Sequence, residues 1–396
     1  MKQIALLITI TCLIFSASFS DAKEPKFKKL VLSDKFYAEG AYYGDFNKDG
    51  ILDVVAGPFW YEGPDFTKKH EIFPPEAFNP EGYSDCFGMF VADLNGDGWD
   101  DVFICPMPGT QSYWYENPRG KEEHWKKHMA LEELGNESQE WVDMLGNGKS
   151  GPIYNNTQGY MGYGTYEIKD GKPEWTFHAV TPKDDFFHRY THGIGAGDIN
   201  GDGRLDLIEA RGWWEQPKNP SETPWKFHPA EFAQWGSHMI VFDVDGDGLN
   251  DVVCAWNCHT YGLVWNKQIR DKDGNISWKR TEIMPIEPDK HPDGLRFSQM
   301  HAFAVADMNG DGLPDFVTGK RWWAHGSKGD VEANNPAVLY WFELKRDGHG
   351  GATFIPHLID DNSGVGTQVC AVDLNGDHVP DIIVSNKKGT FVFLSE

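Results

Sequence analysis

Short apolar runs alternate with acidic turns along nearly the whole chain. The run Phe303–Ala306 precedes one such turn, and Phe316–Thr318 follows it. An aromatic run, Leu339–Phe342, comes next, and a last run such as Trp175–Val180 ends each unit. Short runs bounded by turn residues are typical of β-strands, and four antiparallel strands make one blade of a β-propeller. The pattern therefore predicts an all-β chain built from repeated blades.

The acidic turns share one nine-residue pattern, with Asp or Asn at positions 1, 3 and 5 and a closing Asp at position 9. The six intact copies are Asp45, Asn47, Asp49 and Asp53; Asp93, Asn95, Asp97 and Asp101; Asp198, Asn200, Asp202 and Asp206; Asp243, Asp245, Asp247 and Asp251; Asp307, Asn309, Asp311 and Asp315; and Asp373, Asn375, Asp377 and Asp381. A decayed copy, residues 143–148, lies between the second and the third. Repeats at intervals of about 45 to 65 residues indicate an array of supersecondary units. The count predicts seven blades.

The spacing within each turn suits Ca²⁺, a hard ion that takes six to eight oxygen ligands in a flexible shell. Side chains at positions 1, 3 and 5 of a tight loop point inward together, position 7 offers a backbone carbonyl, and position 9 offers a closing carboxylate. Glycine at position 6 permits the sharp turn, although His378 takes that place in the last copy. We therefore predict structural Ca²⁺ in the six intact loops and none in the decayed copy. The alternative is a set of acidic turns without metal.

The two ends of the chain predict how the ring closes. The final unit supplies only three strands, the last of which is the run Thr390–Leu394. The run Phe27–Leu32 near the N-terminus has no blade of its own and resembles the fourth strands of other units. Pairing it with the final unit would complete the seventh blade and remove an exposed sheet edge. Residues 23–396 are thus predicted to form one seven-bladed propeller.

The N-terminal segment has the layout of a secretory signal peptide, predicted to span residues 1–22. Lys2 is followed by the apolar run Ile4–Phe15 and then by small residues. The apolar run is too short to span a bilayer well, and no other segment resembles a membrane span. We therefore expect a secreted or periplasmic protein. Cys12 leaves a lipoprotein anchor as an alternative, although Thr11 before it fits poorly.

Charge and cysteine content narrow the classes of partner. The formal net charge is −24, which disfavours nucleic acid and anionic membranes as partners. Beyond Cys12 there are five cysteines, so at least one is free or pairs outside the chain. The chain is therefore not a disulfide-based scaffold.

The aspartate loops and the four-stranded units together resemble the FG-GAP/VCBS repeat family, which occurs in integrin α-subunit heads and in many secreted bacterial proteins. The resemblance covers essentially the whole mature chain. It implies a calcium-binding propeller, but it does not imply one function, because this scaffold serves adhesion, glycan binding and polysaccharide lyases.

Strand order predicts where a functional site would lie. The first strand of each blade runs into the acidic loop and the second runs back, so the opposite face carries the starts of first strands and the ends of second strands. Three histidines precede first strands in the fourth, fifth and sixth units: His192, His238 and His301. However, His192 and His301 lie six residues before their first loop Asp, whereas His238 lies five before. Strand alternation would turn His238 away unless a bulge intervenes.

The same three units carry cationic and aromatic residues near the predicted axial site. The candidates grouped with the histidines for catalysis are Tyr190, Arg211, Lys320 and Arg321, and those for substrate binding are Trp213, Trp256, His259, Trp322 and His325. Three interpretations remain open. The histidines could bind a transition metal such as Zn²⁺; one could act as a base next to a carbonyl, with Arg or Lys stabilising the enolate; or they could be structural.

The segment Gly319–Gly326 and the histidine-led strands are similar to the propeller part of the aldos-2-ulose dehydratase family, which eliminates water from keto-sugars. Sixteen tryptophans also suit a sugar ligand, although propeller blades themselves pack on aromatic residues. The leading hypothesis is a secreted carbohydrate lyase or dehydratase. The alternative is a non-catalytic propeller that binds glycan or protein.

Overall fold

A computed structural model describes residues 25–292 and 294–396, and the predicted signal peptide lies outside these residues. Within them the chain forms seven four-stranded antiparallel sheets and one short 3₁₀ helix, Pro288–Lys290. No helix among the described residues is long and apolar enough to cross a membrane. The protein is an all-β, seven-bladed propeller, as the sequence predicts.

Each blade is one sheet of four strands. Blades 1 to 3 contain β2 (Tyr42–Gly44), β3 (Asp53–Ala56), β4 (Phe59–Tyr61) and β5 (Lys69–Glu71); β6 (Gly88–Ala92), β7 (Asp101–Cys105), β8 (Tyr113–Glu116) and β9 (Lys126–Met129); and β10 (Glu140–Val142), β11 (Gly151–Asn155), β12 (Met161–Lys169) and β13 (Lys172–Ala179). Blades 4 and 5 contain β14 (Ile194–Gly197), β15 (Asp206–Glu209), β16 (Gly212–Glu215) and β17 (Lys226–Pro229); and β18 (Met239–Phe242), β19 (Asp251–Ala255), β20 (Leu263–Arg270) and β21 (Ile276–Met284). Blades 6 and 7 contain β22 (Phe303–Ala306), β23 (Asp315–Gly319), β24 (Leu339–Arg346) and β25 (Ala352–Asp360); and β26 (Val369–Val372), β27 (Asp381–Asn386), β28 (Gly389–Ser395) and β1 (Phe27–Ser33).

The N-terminal strand β1 is the outer strand of blade 7. It pairs antiparallel with β28, with Leu30 opposite Val392 and Phe27 opposite Ser395. The sheet order is β1-β28-β27-β26, so the two ends of the chain meet in one blade. This pairing covers an edge of β28 that would otherwise expose unpaired backbone groups.

The hydrophobic core lies between neighbouring blades. The described residues contain seven buried clusters, and each joins one adjacent pair of blades around the ring. The cluster between blades 7 and 1, for example, packs Ile383 and Val392 against Val54 and Tyr61. Second strands are buried on both faces, as in Asp101–Cys105. This explains why they appear in the sequence as continuous apolar runs rather than alternating ones.

The closing aspartate of each intact loop links three strands of its blade. Asp315 is fully buried, and its carboxylate accepts hydrogen bonds from the backbone N–H of Met308 (2.9 Å) and of Leu344 in β24 (2.8 Å). The same pair of backbone bonds is made by Asp53, Asp101, Asp206, Asp251 and Asp381. Burial raises the pKa of Asp315 to about 7, against these backbone hydrogen bonds, which lower it. Position 9 therefore has a structural role besides any part in binding an ion.

The first aspartate of each loop folds the turn onto itself. Asp307 accepts the backbone N–H of Asp311 (3.0 Å) and of Gly312 (2.8 Å), and Asp311 accepts that of Leu313. In the decayed loop Asp143 makes the equivalent bonds to residues 147 and 148, although glycine stands at its ninth position. The turn thus forms without a full set of acidic ligands.

Aromatic residues of the third strands pack on histidines of the fourth strands. The Trp341 ring stacks on His357 at 4.2 Å, and His357 Nε2 lies 3.1 Å from Glu343 Oε2. The same trio occurs as Trp60, His70 and Glu62; Trp114, His128 and Glu116; and Trp213, His228 and Glu215. Trp213 therefore belongs to the blade core, which corrects the expectation that it contacts substrate.

Candidate functional site

A cavity of about 450 Å³ opens on the face opposite the acidic loops. It is bounded by segments that precede first strands and by segments that follow second strands, from blades 2 to 6. The residues that line it are Tyr83, Phe87, Met107, Glu137, His188, Tyr190, His192, Trp235, His259 and His325. The cavity therefore occupies the end of the propeller that strand order predicts for a site, and we call it the axial pocket.

Three histidines and one cysteine meet beside the axial pocket, and two of them, His192 and His259, line it. His192 precedes β14, His301 precedes β22, and Cys258 and His259 follow β19. One nitrogen or sulfur atom from each of the four lies within 4.8 Å of those of the other three. The ring centroid of His192 lies 4.8 Å from that of His259 and 5.3 Å from that of His301. We call these four residues the axial cluster.

Three ring nitrogens of the axial cluster are buried without a hydrogen-bond partner among the described residues: His192 Nε2, His259 Nδ1 and His301 Nε2. His301 Nδ1 lies 3.2 Å from the carbonyl oxygen of Gln299. Because a carbonyl can only accept, Nδ1 carries the proton and Nε2 keeps its lone pair. Buried polar atoms are nearly always satisfied in folded proteins, so these nitrogens are available to a metal ion, a ligand or a water molecule.

The protonation of the cluster also suits metal binding at two of its rings. Burial, with a contribution from His192, lowers the pKa of His259 to about 3. Burial, together with the nearby Arg321 guanidinium, holds the pKa of His301 well below its usual value. Both rings are therefore neutral near pH 7, which is the form that coordinates a metal. For His192, burial is outweighed by Cys258 and Glu137, which raise its pKa to about 10.

A buried ion network lies beside the cluster. The Arg321 guanidinium donates to Glu39 from blade 1 and to Glu137 from blade 3, the latter at 2.8 Å. Glu137 Oε2 also lies 3.6 Å from His192 Nε2. Burial opposes ionisation of Glu137, but His192 and Arg321 hold its pKa well below its usual range. Arg321 is 1% exposed and doubly paired, so it supports the site and does not contact substrate. This corrects its expected role with the enolate.

The other two predicted cations also have partners outside the pocket. Lys320 is fully buried, and its ammonium donates to Ser298 Oγ (2.9 Å) and to the Glu332 carbonyl (2.8 Å). Arg211 pairs with Glu209 (3.0 Å) and Asp184 (2.9 Å). Neither lines the axial pocket. The prediction that either cation neutralises an enolate there is therefore corrected, because Arg211 is paired with two carboxylates and the Lys320 ammonium is held by Ser298 and the Glu332 carbonyl away from the pocket.

His325 and Asp330 form a dyad at the rim of the pocket. His325 Nδ1 lies 3.0 Å from Asp330 Oδ1, and the other Asp330 oxygen accepts the backbone N–H of His325 at 2.9 Å. Burial raises the pKa of Asp330, but the hydrogen bond from His325 outweighs it and the pKa is lowered. Asp330 is therefore ionised and accepts from His325 Nδ1, so the lone pair of the neutral His325 ring lies on Nε2. Asp330 Oδ1 also lies 3.6 Å from His259 Nδ1.

Gln299 connects the histidine cluster to the segment that carries the dyad. Its carbonyl accepts from His301 Nδ1 and from the Arg321 backbone N–H (2.8 Å), and its side chain accepts the backbone N–H of Ala324 (3.0 Å). Gln299 adopts a φ of 67°, a left-handed conformation that costs energy for a residue other than glycine. Such strain is maintained only where surrounding contacts determine the geometry. Gln299 therefore holds two parts of the site in register.

His238 lies outside the axial cluster. Its Nδ1 is 3.5 Å from the backbone N–H of Phe303, and burial lowers its pKa to about 4. His238 lies five residues before the first Asp of its loop, whereas His192 and His301 lie six before theirs. Because side chains alternate along an extended segment, this difference turns His238 away from the other two rings. The expectation that His192, His238 and His301 form one site is therefore corrected: His259 takes the place of His238.

The aromatic residues near the site lie either on the rim of the axial pocket or away from it in the blades. Tyr190 lies on the rim of the pocket with 41% exposure, and Trp235 joins it with the same exposed fraction. Trp256 instead lies under the Arg280 guanidinium, and Trp322 stacks on its neighbour Trp323 at 3.8 Å. Trp256 and Trp322 are not among the residues that line the axial pocket.

Several residues of the site have no clear signal in the sequence. Cys258 directly precedes His259 in the chain. Because His259 follows a second strand, its position could have pointed to Cys258 as well. Glu137 precedes the first strand of the decayed blade, where the loop pattern gives weak guidance. Asp330 comes from a long connection after β23 and follows no repeat.

One family model and two solved structures are similar to this chain. Residues 243–318 match the FG-GAP-like repeat family. Among solved structures, the chain is similar to rhamnogalacturonan lyase YesW, with 13% identity, a TM-score of 0.46, and coverage of 93% of this chain and 75% of that one. It is also similar to BBS1N in complex with ARL6DN, with 8% identity, a TM-score of 0.47, and coverage of 91% and 92%. Neither likeness bears on what this chain binds or catalyses.

Proposed function

We propose that this propeller, whose residues 243–318 match an FG-GAP-like repeat, is a secreted, calcium-binding carbohydrate lyase or dehydratase with a transition metal such as Zn²⁺ at its axis. The observation that carries the proposal is the axial cluster, where three unpartnered buried imidazole nitrogens converge with a thiol. Nitrogen and sulfur ligands in a group of three or four suit Zn²⁺. His259 and His301 would hold the ion as neutral rings, His192 would join them on releasing its proton, and Cys258 would supply a fourth ligand or remain beside it.

A bound Zn²⁺ would polarise the carbonyl or carboxylate oxygen next to the reacting carbon. This role replaces the one first assigned to Arg211, Lys320 and Arg321, whose side chains are already bonded to other partners. The proposed reaction is an elimination. A base removes the proton α to the carbonyl, the electrons of that C–H bond form the new C=C bond, and the β-oxygen leaves with its electron pair.

The base in this proposal is His325. Asp330 lies 3.0 Å from Nδ1, which places the lone pair of the neutral ring on Nε2. The ring lines the pocket next to His259, with a centroid distance of 4.5 Å. His192 and His301, which the sequence suggested as bases, are better suited to hold metal because they are buried. A positioned base contributes about 10²- to 10⁴-fold to rate.

The alternative is a non-catalytic glycan- or protein-binding propeller, which the exposed rim aromatics Tyr190 and Trp235 favour. One experiment separates the two. Purified protein is analysed for bound metal, and keto-sugars and uronate polymers are then tested for new ultraviolet absorbance, which reports the C=C bond. The proposal expects zinc near one equivalent and turnover that chelation abolishes.

Two variants refine this experiment. His301→Ala should lose the zinc and the activity, whereas His325→Asn should retain the zinc and lose about 10²-fold or more in kcat. His325→Asn should melt close to the parent protein, whereas His301→Ala should melt at a lower temperature, because it loses the bound ion and empties part of a buried site. Zinc-free protein that is inactive on every substrate would reject the metal-dependent lyase and leave the binding propeller.

A further inference from the structure

A second cavity, of about 760 Å³, lies between blades 1 and 2 on the same face as the axial pocket. It is bounded by the segment before β2, the connections after β5 and β7, and the start of β8. We call it the interblade cleft. Met107, which follows β7, lines both cavities. A ligand that extends past Met107 from the axial pocket would therefore enter the interblade cleft.

Aromatic faces make up much of the wall of the cleft. The lining aromatic residues are Tyr37, Phe73, Phe78, Tyr113 and Tyr115. Phe73 stacks on Tyr115 at 4.8 Å, and Tyr113 is half-buried. Such side chains offer flat apolar surfaces with a polar tip, which suits ligands that have both C–H faces and hydroxyl groups.

The polar groups of the cleft are largely unpaired within the protein. Glu76, Asp85 and Glu132 line it, and their carboxylates form no hydrogen bond or ion pair with any described residue. The single cation of the lining, Lys127, lies over the Tyr113 ring at 3.5 Å rather than against a carboxylate. Three acceptors thus remain available for the hydroxyl groups of a ligand.

The charge of the residues that line the interblade cleft favours neutral sugars over acidic ones. Three carboxylates and one ammonium leave a net negative cleft, and a polymer of uronate units would bring further negative charge to it. Like charges brought within a few ångströms of one another repel, even where the carboxylates are exposed to solvent. Neutral sugars carry no such penalty, and their hydroxyl groups donate to carboxylates.

We propose that the interblade cleft is a carbohydrate subsite for neutral saccharide units, continuous with the axial pocket. The substrate is then a neutral oligosaccharide whose end reaches the axial cluster, rather than a polyuronate. The link to the axial pocket rests on the proposed function, whereas binding in the cleft can be measured by itself.

The test is titration calorimetry of the full chain with neutral hexasaccharides of β-1,4-linked glucose, mannose and N-acetylglucosamine, and with the acidic hexasaccharide of α-1,4-linked galacturonic acid. At least one neutral hexasaccharide should bind, and the galacturonic acid chain should not. Tyr113→Ala should weaken that binding at least tenfold, and Asp85→Asn should weaken it several-fold.

Tyr340→Ala is the matched control, because Tyr340 precedes Trp341 in blade 6 as Tyr113 precedes Trp114 in blade 2. This control should keep the parent Kd. Should Tyr113→Ala prove unstable by thermal melt, Lys127→Met tests the same wall of the cleft.

The inference is overturned if no neutral hexasaccharide binds, or if Tyr113→Ala and Tyr340→Ala have the same Kd. It is also overturned if the galacturonic acid chain or a proline-rich peptide binds in the cleft instead. The failure of the proposed function is distinguishable. Tyr113-dependent binding without turnover of any sugar rejects the lyase alone, whereas turnover without such binding rejects the subsite alone.

Discussion

On one face of the propeller the same acidic loop occurs six times, whereas on the other face each blade presents a different set of side chains. Every intact loop closes with an Asp that accepts two backbone N–H groups, as Asp53 does from residues 46 and 63. The axial face instead brings together His192, Cys258 and Glu137 from three blades that have no common motif there. The repeated face organises each blade locally, and the axial face depends on the closed ring.

Because of this difference, the stability of the protein should respond differently to the loss of a residue on each face. The acidic side chains of a loop bond within their own blade, although the neighbouring blade also contacts the loop backbone, as Asp100 does at the Asp45 N–H (2.9 Å). The loss of one such side chain is therefore mainly a local defect. An axial residue such as Arg321 connects blades 1, 3 and 6, so its geometry requires that all seven blades be in place. The predictions below separate local stability from the geometry of the ring.

The largest effect is expected from deleting β1. Its removal uncovers the edge of β28 and takes away the partners of residues 390–395, and an unpaired apolar edge invites aggregation. The deletion variant should aggregate or lose cooperative unfolding, and the axial cluster should lose any bound metal with it. Analytical ultracentrifugation and a urea melt measure this. A soluble deletion variant with the parent midpoint would show that closure of blade 7 does not hold the ring together.

A smaller loss is expected from Asp315→Ala. The substitution leaves the backbone N–H groups of Met308 and Leu344 buried without an acceptor, at a cost of about 1–3 kcal/mol each. Urea unfolding should report a loss of a few kcal/mol, with the metal content of the axial cluster unchanged. Asp315→Asn, which keeps one acceptor, should lose less. A neutral result for Asp315→Ala would remove the structural role from position 9.

Next in size is the effect of removing calcium. An ion that binds only the folded chain stabilises it by about 2.7 kcal/mol at a hundred times Kd, so a calcium-selective chelator should lower Tm. Asp311→Ala should reproduce part of this loss by removing one loop ligand. Elemental analysis gives the occupancy. An unchanged Tm in chelator, together with calcium-free protein, would mean that the loops are held by their own backbone hydrogen bonds.

The repeated face was predictable from the sequence, whereas the axial face was predictable only in part. Loop spacing and apolar runs are local patterns, and they predict the blades, their number and the strand β1 near the N-terminus. The same patterns place His192 and His301 at the correct end of the propeller. They do not show which charges are already compensated, because Arg321 and Glu39 are 282 positions apart. For the same reason Glu137 and Asp330 were missed.

The smallest effect concerns pH and the axial face alone. Burial lowers the pKa of Lys387 to about 8, and the ammonium donates to the Trp323 carbonyl at 2.7 Å beside the Tyr83 ring. Because the folded pKa lies below the usual value of 10.5, the unfolded chain binds more protons between about pH 8 and 10.5, and stability should rise with pH across that window. Lys320, whose pKa burial also lowers to about 8, adds to the same slope.

The measurement is the difference in unfolding free energy between pH 7.5 and pH 10 in Lys387→Met and in a control, Lys279→Met, at an exposed position of β21. Lys387→Met should reduce the rise in stability with pH, because the group that releases its proton on folding is gone, whereas the control should keep the parent slope. Equal slopes in the two variants would show that burial does not lower the pKa of Lys387. The axial face would then owe its stability to the Arg321 network alone, and the contrast with the loop face would rest on geometry rather than on buried charge.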